Sequence, residues 1–268
     1  MMIDAEQLRR VSVKVSSETA GLLRDLACSE DLGRVVSGET TVADKRAEDY
    51  ILDLLRRELG QVQVISEEAG GVASKTSDAP IALVDPLDGS TNYLSCITWC
   101  SVSVAFADPR SGEILAGSVA PVYAGMPVSF ARGKGCYHGG LKVEDPSIRG
   151  SIISVYVDEP GAIESVAGAI GRLKGVRRDF KVRSLGSAAL ELAYTAIGYI
   201  AVFADLRARL RNIDVAAAVG AVRECGGVVT DAHGQPLRIG VWRVERVGSV
   251  VASLDEALAR IAVGGGSG

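Results

Sequence analysis

The feature that most constrains this chain is an apolar run that ends in a pair of acids. Residues Ile81 to Val84 are apolar, and Asp85, Pro86 and Asp88 follow within four positions. A short apolar run bounded by turn residues is typical of a buried strand. We expect Pro86 to end the sheet ladder, because proline has no N–H to donate. Two carboxylates followed by the backbone N–H groups of residues 89–92 predict a site for a hard cation beside a phosphate.

Taken alone, the same stretch is more typical of a surface turn, since Asp, Pro, Gly, Ser and Asn all form turns. Three other acids change that balance. Glu67 follows a short predicted strand at Val62–Ile65, Asp44 lies in the first turn of a helix that Thr41 caps, and Asp214 begins a helix rich in small residues. Asp44 would ordinarily be only a favourable charge at a helix dipole, and Asp214 only a cap. Strand ends and helix starts are where loops converge into sites.

Composition excludes several classes of protein. The 268 residues are 47% hydrophobic and 23% charged, which indicates a globular chain. A net charge of −4 provides no basic surface for nucleic acid. No apolar run reaches the ~18 residues of a membrane helix, and the first ten residues lack the apolar core of a signal peptide. We therefore expect a cytoplasmic protein without a membrane or nucleic-acid partner.

The five cysteines are scattered along the chain and odd in number, which argues against a secreted disulfide framework. Cys96 and Cys100 are four positions apart, but no second pair completes a zinc site. We expect buried or reduced cysteines, with a disulfide as the alternative if the source is a hyperthermophile. The five are Cys28, Cys96, Cys100, Cys136 and Cys225.

The order of predicted elements changes near Asp145–Ser147. Before it, the pattern predicts helices over 4–28 and after Thr41, and then a meander of strands. After it, strands alternate with helices, and one of these strands covers Ile200–Ala204. We expect an N-terminal α+β half over 1–147 and a C-terminal α/β half over 148–268, with a largely parallel sheet.

Spacing excludes several phosphate and metal motifs. Asp85 and Asp88 are three residues apart, whereas a haloacid-dehalogenase-type nucleophile needs two acids that are two apart. The chain contains no EF-hand loop, no P-loop and no H-E-x-x-H zinc motif.

Three motifs in order resemble the inositol monophosphatase / fructose-1,6-bisphosphatase superfamily. They are Glu67-Glu68, the stretch D-P-L-D-G-S-T-N over residues 85–92, and I-D-V-A-A over residues 213–217. The resemblance covers nearly the whole chain. It implies an α-β-α-β-α layered sandwich of α/β class, a Mg²⁺-dependent phosphatase and a homodimer.

The resemblance also implies roles for single residues. Glu67, Asp85 and the carbonyl of Leu87 would hold one Mg²⁺, and Asp85, Asp88 and Asp214 a second. Two or three ions per site are expected, with Mn²⁺ as an alternative ion. Oxygen ligands suit these ions, which would neutralise the phosphate and activate a water.

The nucleophilic water would lie near Glu67 and the hydroxyl of Ser90, and Asp44 resembles the acid that orients this hydroxyl. Gly89, Ser90 and Thr91 would donate N–H groups to the phosphate at a helix start. Asp88 would also contact the substrate.

Departures from the inositol-selective pattern favour a sugar bisphosphate. Leu87 and Ser90 are closer to the D-P-L-D-G-S of fructose bisphosphatases. Arg207 stands where inositol-selective members commonly have Glu, and it could clamp a second phosphate, as could Arg183. A surface salt bridge is the alternative for Arg207. The pattern resembles archaeal-type enzymes that act on both fructose 1,6-bisphosphate and inositol 1-phosphate.

Two other functions stay open at this stage. A 3′(2′),5′-bisphosphate nucleotidase shares the metal motifs. A non-catalytic regulatory protein could keep the fold, although all four acids at positions 67, 85, 88 and 214 are intact.

Overall fold

The structure, a computed structural model, describes residues 4–27, 33–37, 40–67 and 70–264. Within them the elements are, in chain order, α1 (Ala5–Leu26), β1 (Val35–Ser37), β2 (Thr40–Thr41), α2 (Val42–Leu59), β3 (Gln63–Ser66), β4 (Ile81–Asp88), α3 (Ser90–Leu94), β5 (Ser101–Ala107), β6 (Ile114–Pro121), β7 (Val128–Ala131), β8 (Gly135–His138), β9 (Leu141–Lys142), β10 (Ile152–Val155), a short 3₁₀ turn (Pro160–Ala162), α4 (Ile163–Val176), β11 (Lys181–Arg183), α5 (Ala188–Ala196), β12 (Ile200–Arg211), α6 (Asn212–Glu224), β13 (Val228–Thr230), β14 (Arg246–Ser253) and α7 (Glu256–Val263).

The N-terminal half forms a seven-stranded sheet in which β3 to β9 follow one another in order. β3 and β4 are parallel, and every later neighbour is antiparallel. Side chains alternate along β4, so Ala82 and Val84 pack with α1 and α2, while Ile81 and Leu83 pack with α5 and α6. The sheet is therefore buried on both faces, as the unbroken apolar run predicts.

The C-terminal half forms a second sheet of five strands in the order β11-β10-β12-β14-β13. β10 is parallel to both β11 and β12, but β14 is antiparallel to β12 and to β13. The prediction of a largely parallel sheet is wrong for the edge formed by β14 and β13. β13 and β14 are joined by a loop, and a parallel pair would need a crossover helix.

Helices separate and cover the two sheets. α5 and α6 lie between them in the central core, and α4 and α7 cover the outer face of the five-stranded sheet. With α1 and α2 on the far side, the layers are α-β-α-β-α, which confirms the predicted fold class. The central core takes residues from both predicted halves, and residues 143–151 join the halves without a regular element.

The small residues of α6 let its backbone approach the seven-stranded sheet closely. A side-chain carbon added at Gly220 would lie 2.1 Å from the ring of Phe130, and one added at Gly117 would lie 3.1 Å from Ala217. This close packing fixes the helix that begins with Asp214.

Pro86 does not end β4, contrary to the sequence prediction. The strand continues to Asp88, and its register with β5 shifts so that Asp85 faces Ser103 and Asp88 faces Ser101. Three steps on β4 therefore match two on β5. This bulge accommodates the missing N–H of proline and keeps both acids at the end of the same strand.

A disulfide joins Cys136 in β8 to Cys225 at the end of α6, with 5.4 Å between their Cα atoms. The sequence predicts buried or reduced cysteines, and these two are buried but oxidised. The disulfide alternative therefore applies to this pair, because the fold brings together two residues 89 positions apart. Cys96 is exposed and Cys100 buried, both outside the disulfide, and Cys28 lies outside the described residues. Among the described helices, none is long and apolar enough to cross a membrane.

We predict that removing this disulfide destabilises the protein. In the chain-entropy model, a loop of 89 residues contributes about 4.6 kcal/mol, which corresponds to a fall in Tm of about 10 °C. Thermal unfolding of Cys136→Ala/Cys225→Ala without reductant tests this, with Cys96→Ser as the matched control. A reductant should lower the Tm of the wild type and leave that of the double variant unchanged. Equal Tm values for wild type and double variant would contradict the prediction.

Candidate active site

A cavity of about 460 Å³ opens where the end of β4 meets the starts of α3, α5 and α6 and the end of β12. Both sheets therefore contribute to it. Most of the acids and loop residues predicted for the site lie in its wall, which consists of Glu67, Asp85, Leu87, Asp88, Gly89, Ser90, Thr91, Asn92, Tyr156, Asp158, Ser184, Leu185, Gly186, Ala188, Arg207, Leu210, Arg211 and Asp214.

Asp88 connects β4 to the start of α5. Its Oδ2 accepts hydrogen bonds from the hydroxyl of Ser187, from the N–H of Ala189 at 2.9 Å and from the hydroxyl of Ser101 at 3.3 Å. Its Oδ1 accepts the N–H of Ala188 at 3.2 Å. Asp88 thus receives the N–H groups that begin α5, where a helix favours negative charge. Oδ1 carries fewer of these bonds and keeps a lone pair for a ligand.

Asp85 and Asp214 are placed by their own backbones. Asp85 is 3% exposed, and its Oδ1 accepts the N–H of Leu87 at 3.1 Å. Asp214 lies in the first turn of α6, where its Oδ2 accepts the N–H of Arg211 at 2.8 Å. The prediction that Asp214 is the helix cap is wrong in position, because α6 begins at Asn212 with Arg211 at the N-cap. Asp214 closes the helix start from the third helical position, and it lies in the cavity wall.

The guanidinium of Arg211 lies between two of the predicted ligands. It donates from Nη1 to Glu67 at 2.7 Å and from Nη2 to Asp214 at 3.0 Å. The sequence alone did not single out Arg211. Its position three residues before a helix-start acid was the available signal, but its pairing with Glu67 spans 144 residues and could not be predicted locally.

The buried acids repel one another. Burial raises the pKa of Asp85 well above its ordinary value, and the charges of Asp88, Asp214 and Glu67 raise it further, while Arg211 opposes them. Burial also raises the pKa of Asp88 to about 7, against the hydrogen bonds from the α5 start. The pKa of Asp214 is raised by burial, with Arg211 again lowering it. The positive charge of Arg211 therefore does not offset the burial and mutual repulsion of these carboxylates.

This donor set fits a hard divalent cation in its chemistry. Glu67, Asp85, Asp88, Asp214 and the carbonyl of Leu87 offer only oxygen atoms, and a cation would relieve the repulsion between the carboxylates. Within the described ranges, no group of three His, Cys, Asp or Glu side chains is already arranged to hold a metal ion.

Asp44 is buried near this cluster but outside the cavity wall. Its Oδ2 accepts the N–H of Thr41 at 2.8 Å and the Thr41 hydroxyl at 2.6 Å, which makes the capping box of α2. Burial raises its pKa, and the charge of Glu67 contributes to the same direction. The hydrogen bonds of Asp44 in the described chain do not include the Ser90 hydroxyl, so its expected orienting role stays a prediction.

The loop after β4 approaches the C-terminal half closely. Gly89 has a φ of 87°, and a side chain there would meet the carbonyls of Gly186 and Trp99 at 3.1 Å. Asn92 donates its amide to the carbonyls of Leu185 at 2.6 Å and Trp99 at 2.8 Å. These contacts fix Gly89, Ser90 and Thr91 in the cavity wall.

Arg207 lies in the wall with its guanidinium already paired. It stacks on the ring of Tyr156 at 3.9 Å and donates to Asp205 at 2.6 Å and to Asp158 at 2.7 Å. The segment that contains Arg207 is irregular, because the pairing between β12 and β14 changes register between Asp205 and Leu210. Arg207 therefore forms salt bridges, as the alternative hypothesis predicts, and it also lies in the cavity wall.

Arg183 is placed differently. It is exposed at the end of β11, where it donates to the carbonyl of Val182 at 2.8 Å. It is not among the residues of the cavity wall, so its substrate role stays a prediction.

Glu191 is a buried acid that the sequence did not single out. It accepts hydrogen bonds from the hydroxyl of Tyr156 at 2.9 Å, the N–H of Ser187 at 3.0 Å and the hydroxyl of Ser154. Glu191 therefore links Ser187, which donates to Asp88, with the ring of Tyr156. Arg207 stacks on this ring. On α5, Glu191 looked like an ordinary helix surface residue.

A larger cavity, of about 560 Å³, lies elsewhere, beside the turn at Asp108–Gly112. Its charged residues pair with one another, as Arg110 does with Asp78 and Arg132 with Glu113. It has no cluster of like charges comparable to that at the end of β4.

A layered α/β fold with clustered carboxylates beside a loop of backbone N–H groups is typical of metal-dependent phosphatases. The model of the inositol monophosphatase family matches residues 4–264, and the chain belongs to this family.

Relatives and solved structures agree with this placement. A fructose-1,6-bisphosphatase/inositol-1-monophosphatase of Thermococcus kodakarensis is 36% identical over 235 residues, 85% of this chain and 84% of the relative. The Nus factor SuhB of Escherichia coli is 33% identical over 204 residues, 72% of each chain. The structure of a hypothetical protein from Pyrococcus horikoshii, with similarities for inositol-1 monophosphatase, has a TM-score of 0.80 and 27% identity, and the match covers 99% of this chain and 100% of that one.

We predict that Glu191 makes stability fall as the pH rises. Burial raises its pKa from 4.5 to about 7, so the folded state keeps its proton while the unfolded state loses it. The contribution of Glu191 to the free energy of unfolding is greatest below pH 4.5. It falls by on the order of 3 kcal/mol between pH 4.5 and about 7, and it is constant above that.

Denaturant unfolding of the metal-free protein between pH 4.5 and 8 measures this effect. The stability of wild type relative to Glu191→Gln should decrease with pH, whereas Glu256→Gln, a surface variant, should follow the wild type. Parallel pH profiles for wild type and Glu191→Gln would show the prediction to be wrong.

Proposed function

We propose that the protein is a Mg²⁺-dependent phosphomonoester hydrolase that acts on fructose 1,6-bisphosphate and inositol 1-phosphate. The observation that carries this proposal is the convergence of Glu67, Asp85, Asp88 and Asp214 on one cavity beside the loop 89–91. The name of the Thermococcus kodakarensis relative, which contains both activities, supports the same two substrates.

A divalent cation held by these oxygens would supply charge neutralisation to the phosphate and activation to water. Glu67, Asp85 and the Leu87 carbonyl would hold one ion, and Asp85, Asp88 and Asp214 another. Mg²⁺ is the proposed ion because all donors are oxygen, with Mn²⁺ as an alternative. The number of ions, two or three, is part of the proposal.

The protein's own groups would position the substrate. The N–H groups of Gly89, Ser90 and Thr91 lie in the cavity wall and are suited to the phosphate oxygens. Glu67 is 35% exposed at its side chain and can accept a proton from water. The Ser90 hydroxyl would orient that water, with Asp44 supporting it.

Arg207 is the proposed second phosphate ligand. Its contacts with Asp205 and Asp158 hold the guanidinium in place, and a guanidinium has five N–H donors. Donors that these two acids leave over can bind a phosphate without breaking the existing pairs. Inositol 1-phosphate has only one phosphate, so Arg207 should matter less for it.

We predict that Asp85→Asn lowers phosphate release by at least about 100-fold, because a neutral amide cannot bridge two cations. The fold should survive, since Asn has the same shape and lacks a buried charge. Phosphate release with Mg²⁺ and far-UV circular dichroism measure the two effects, with Asp179→Asn on the surface as control. Unchanged turnover in Asp85→Asn would contradict the metal assignment, and absence of turnover in wild type would favour a non-catalytic protein.

We predict that Arg207→Met lowers kcat/KM for fructose 1,6-bisphosphate about tenfold or more and changes that for inositol 1-phosphate by less than about threefold. Loss of one charged hydrogen bond to phosphate accounts for this difference. Arg209→Met, which removes an exposed arginine paired with Glu159, is the matched control. Equal losses on both substrates would contradict a role in substrate choice, and hydrolysis only of adenosine 3′,5′-bisphosphate would favour the nucleotidase.

A homodimer and a cytoplasmic location complete the proposal. Size-exclusion chromatography with light scattering measures the first directly.

A further inference from the structure

Arg211 holds two acids that come from opposite halves of the chain. Nη1 lies 2.7 Å from Glu67 Oε1, and Nη2 and Nε lie 3.0 and 3.2 Å from Asp214 Oδ1. Its side chain is 32% exposed and lines the cavity. No other Arg or Lys forms an ion pair with Glu67 or Asp214 within the described residues.

The guanidinium supplies positive charge that the cluster otherwise lacks. It lowers the pKa of both Asp85 and Asp214 through its charge. Arginine is always protonated in proteins, so this charge cannot leave by loss of a proton. It can leave only if the side chain rotates away from the carboxylates.

A divalent cation needs the same oxygen atoms. Charge-assisted hydrogen bonds from a guanidinium are directional and strong, and they hold Glu67 and Asp214 in an arrangement that binds Arg211.

We propose that Arg211 is a displaceable internal cation that competes with the metal for Glu67 and Asp214 and, once released, binds the substrate phosphate. The inference rests on the proposed function, because it takes these acids as metal ligands. Metal entry would free the guanidinium inside the cavity that also contains the loop 89–91. A phosphate there would bind the guanidinium and keep it off the acids.

The consequence is a positive coupling between metal and phosphate. A ligand that removes Arg211 from the acids raises the metal affinity, and by linkage the metal raises the affinity for that ligand by the same factor. Phosphate would also contact bound metal directly, which gives some coupling without Arg211. The contribution of Arg211 is therefore the difference in coupling between wild type and a variant that lacks this side chain.

Isothermal titration of Mg²⁺ and of Mn²⁺ into the metal-free protein, with and without inorganic phosphate, tests the inference. Arg211→Gln should bind the metal about tenfold more tightly than wild type without phosphate, since it removes a competing cation worth about 1.4 kcal/mol. The coupling to phosphate should fall in the same variant. Arg211→Lys, which keeps the charge but lacks the fork, should lie between the two.

Arg209→Gln is the matched control, because it removes a neighbouring surface arginine whose partner is Glu159. It should bind metal like the wild type. Circular dichroism and thermal unfolding establish that each variant is folded. Metal affinity in folded Arg211→Gln equal to or weaker than that of wild type would overturn the inference, as would unchanged coupling to phosphate.

Failure of the inference about Arg211 can be distinguished from failure of the proposed function. If wild type binds the metal and Asp85→Asn does not, the proposed metal site stands, whatever Arg211→Gln does. If wild type binds no divalent cation and releases no phosphate, the proposed function itself fails.

Discussion

The hydrogen bonds to the carboxylate of Asp88 are the interaction on which the site depends. They join the end of β4 in one sheet to the start of α5 beneath the other. Buried carboxylates are unfavourable unless hydrogen bonds or positive charge compensate them. The α5 start compensates Asp88, and Arg211 compensates Asp214. Asp85 accepts the N–H of Leu87, and burial together with the charges of Asp88, Asp214 and Glu67 raises its pKa well above the ordinary value.

The shape of the cavity follows from this constraint. The acids must lie close enough to share a ligand, so the backbone must deliver them from several elements at once. A bulge at Pro86 presents Asp85 and Asp88 from one strand, and the first turn of α6 presents Asp214. Close packing of α6 against Phe130 and a disulfide at its far end hold that helix against the sheet.

Local patterns in the sequence predicted the parts that short segments determine. The apolar run before Asp85 predicted a buried strand, and Thr41 with Asp44 predicted a capped helix. The layered fold came from the resemblance carried by the acidic motifs, and the family match confirms it. The bulge at Pro86 was missed, because the absence of an N–H does not show whether a strand stops or shifts register.

What the sequence could not predict depends on long-range contacts. The partner of Arg211 is 144 residues away, and Cys136 and Cys225 are 89 apart. Glu191 is buried by contacts with Ser154 in β10 and with Tyr156 just after that strand, which lie 35 or more residues away in the chain. The strand predicted over Ile200–Ala204 extends to Arg211, because the polar residues near its end line a cavity and do not mark a loop.

The irregular segment between Asp205 and Leu210 has a consequence for evolvability. There β12 leaves the ladder and Ala208 adopts a positive φ of 58°, so substitutions there do not disturb sheet pairing or the central core. The carboxylates, in contrast, belong to a strand end and helix starts that tolerate little change. Because Arg207 belongs to the irregular segment, its proposed role in substrate choice would let substrate preference drift among descendants of one ancestor while the proposed hydrolytic chemistry is inherited intact.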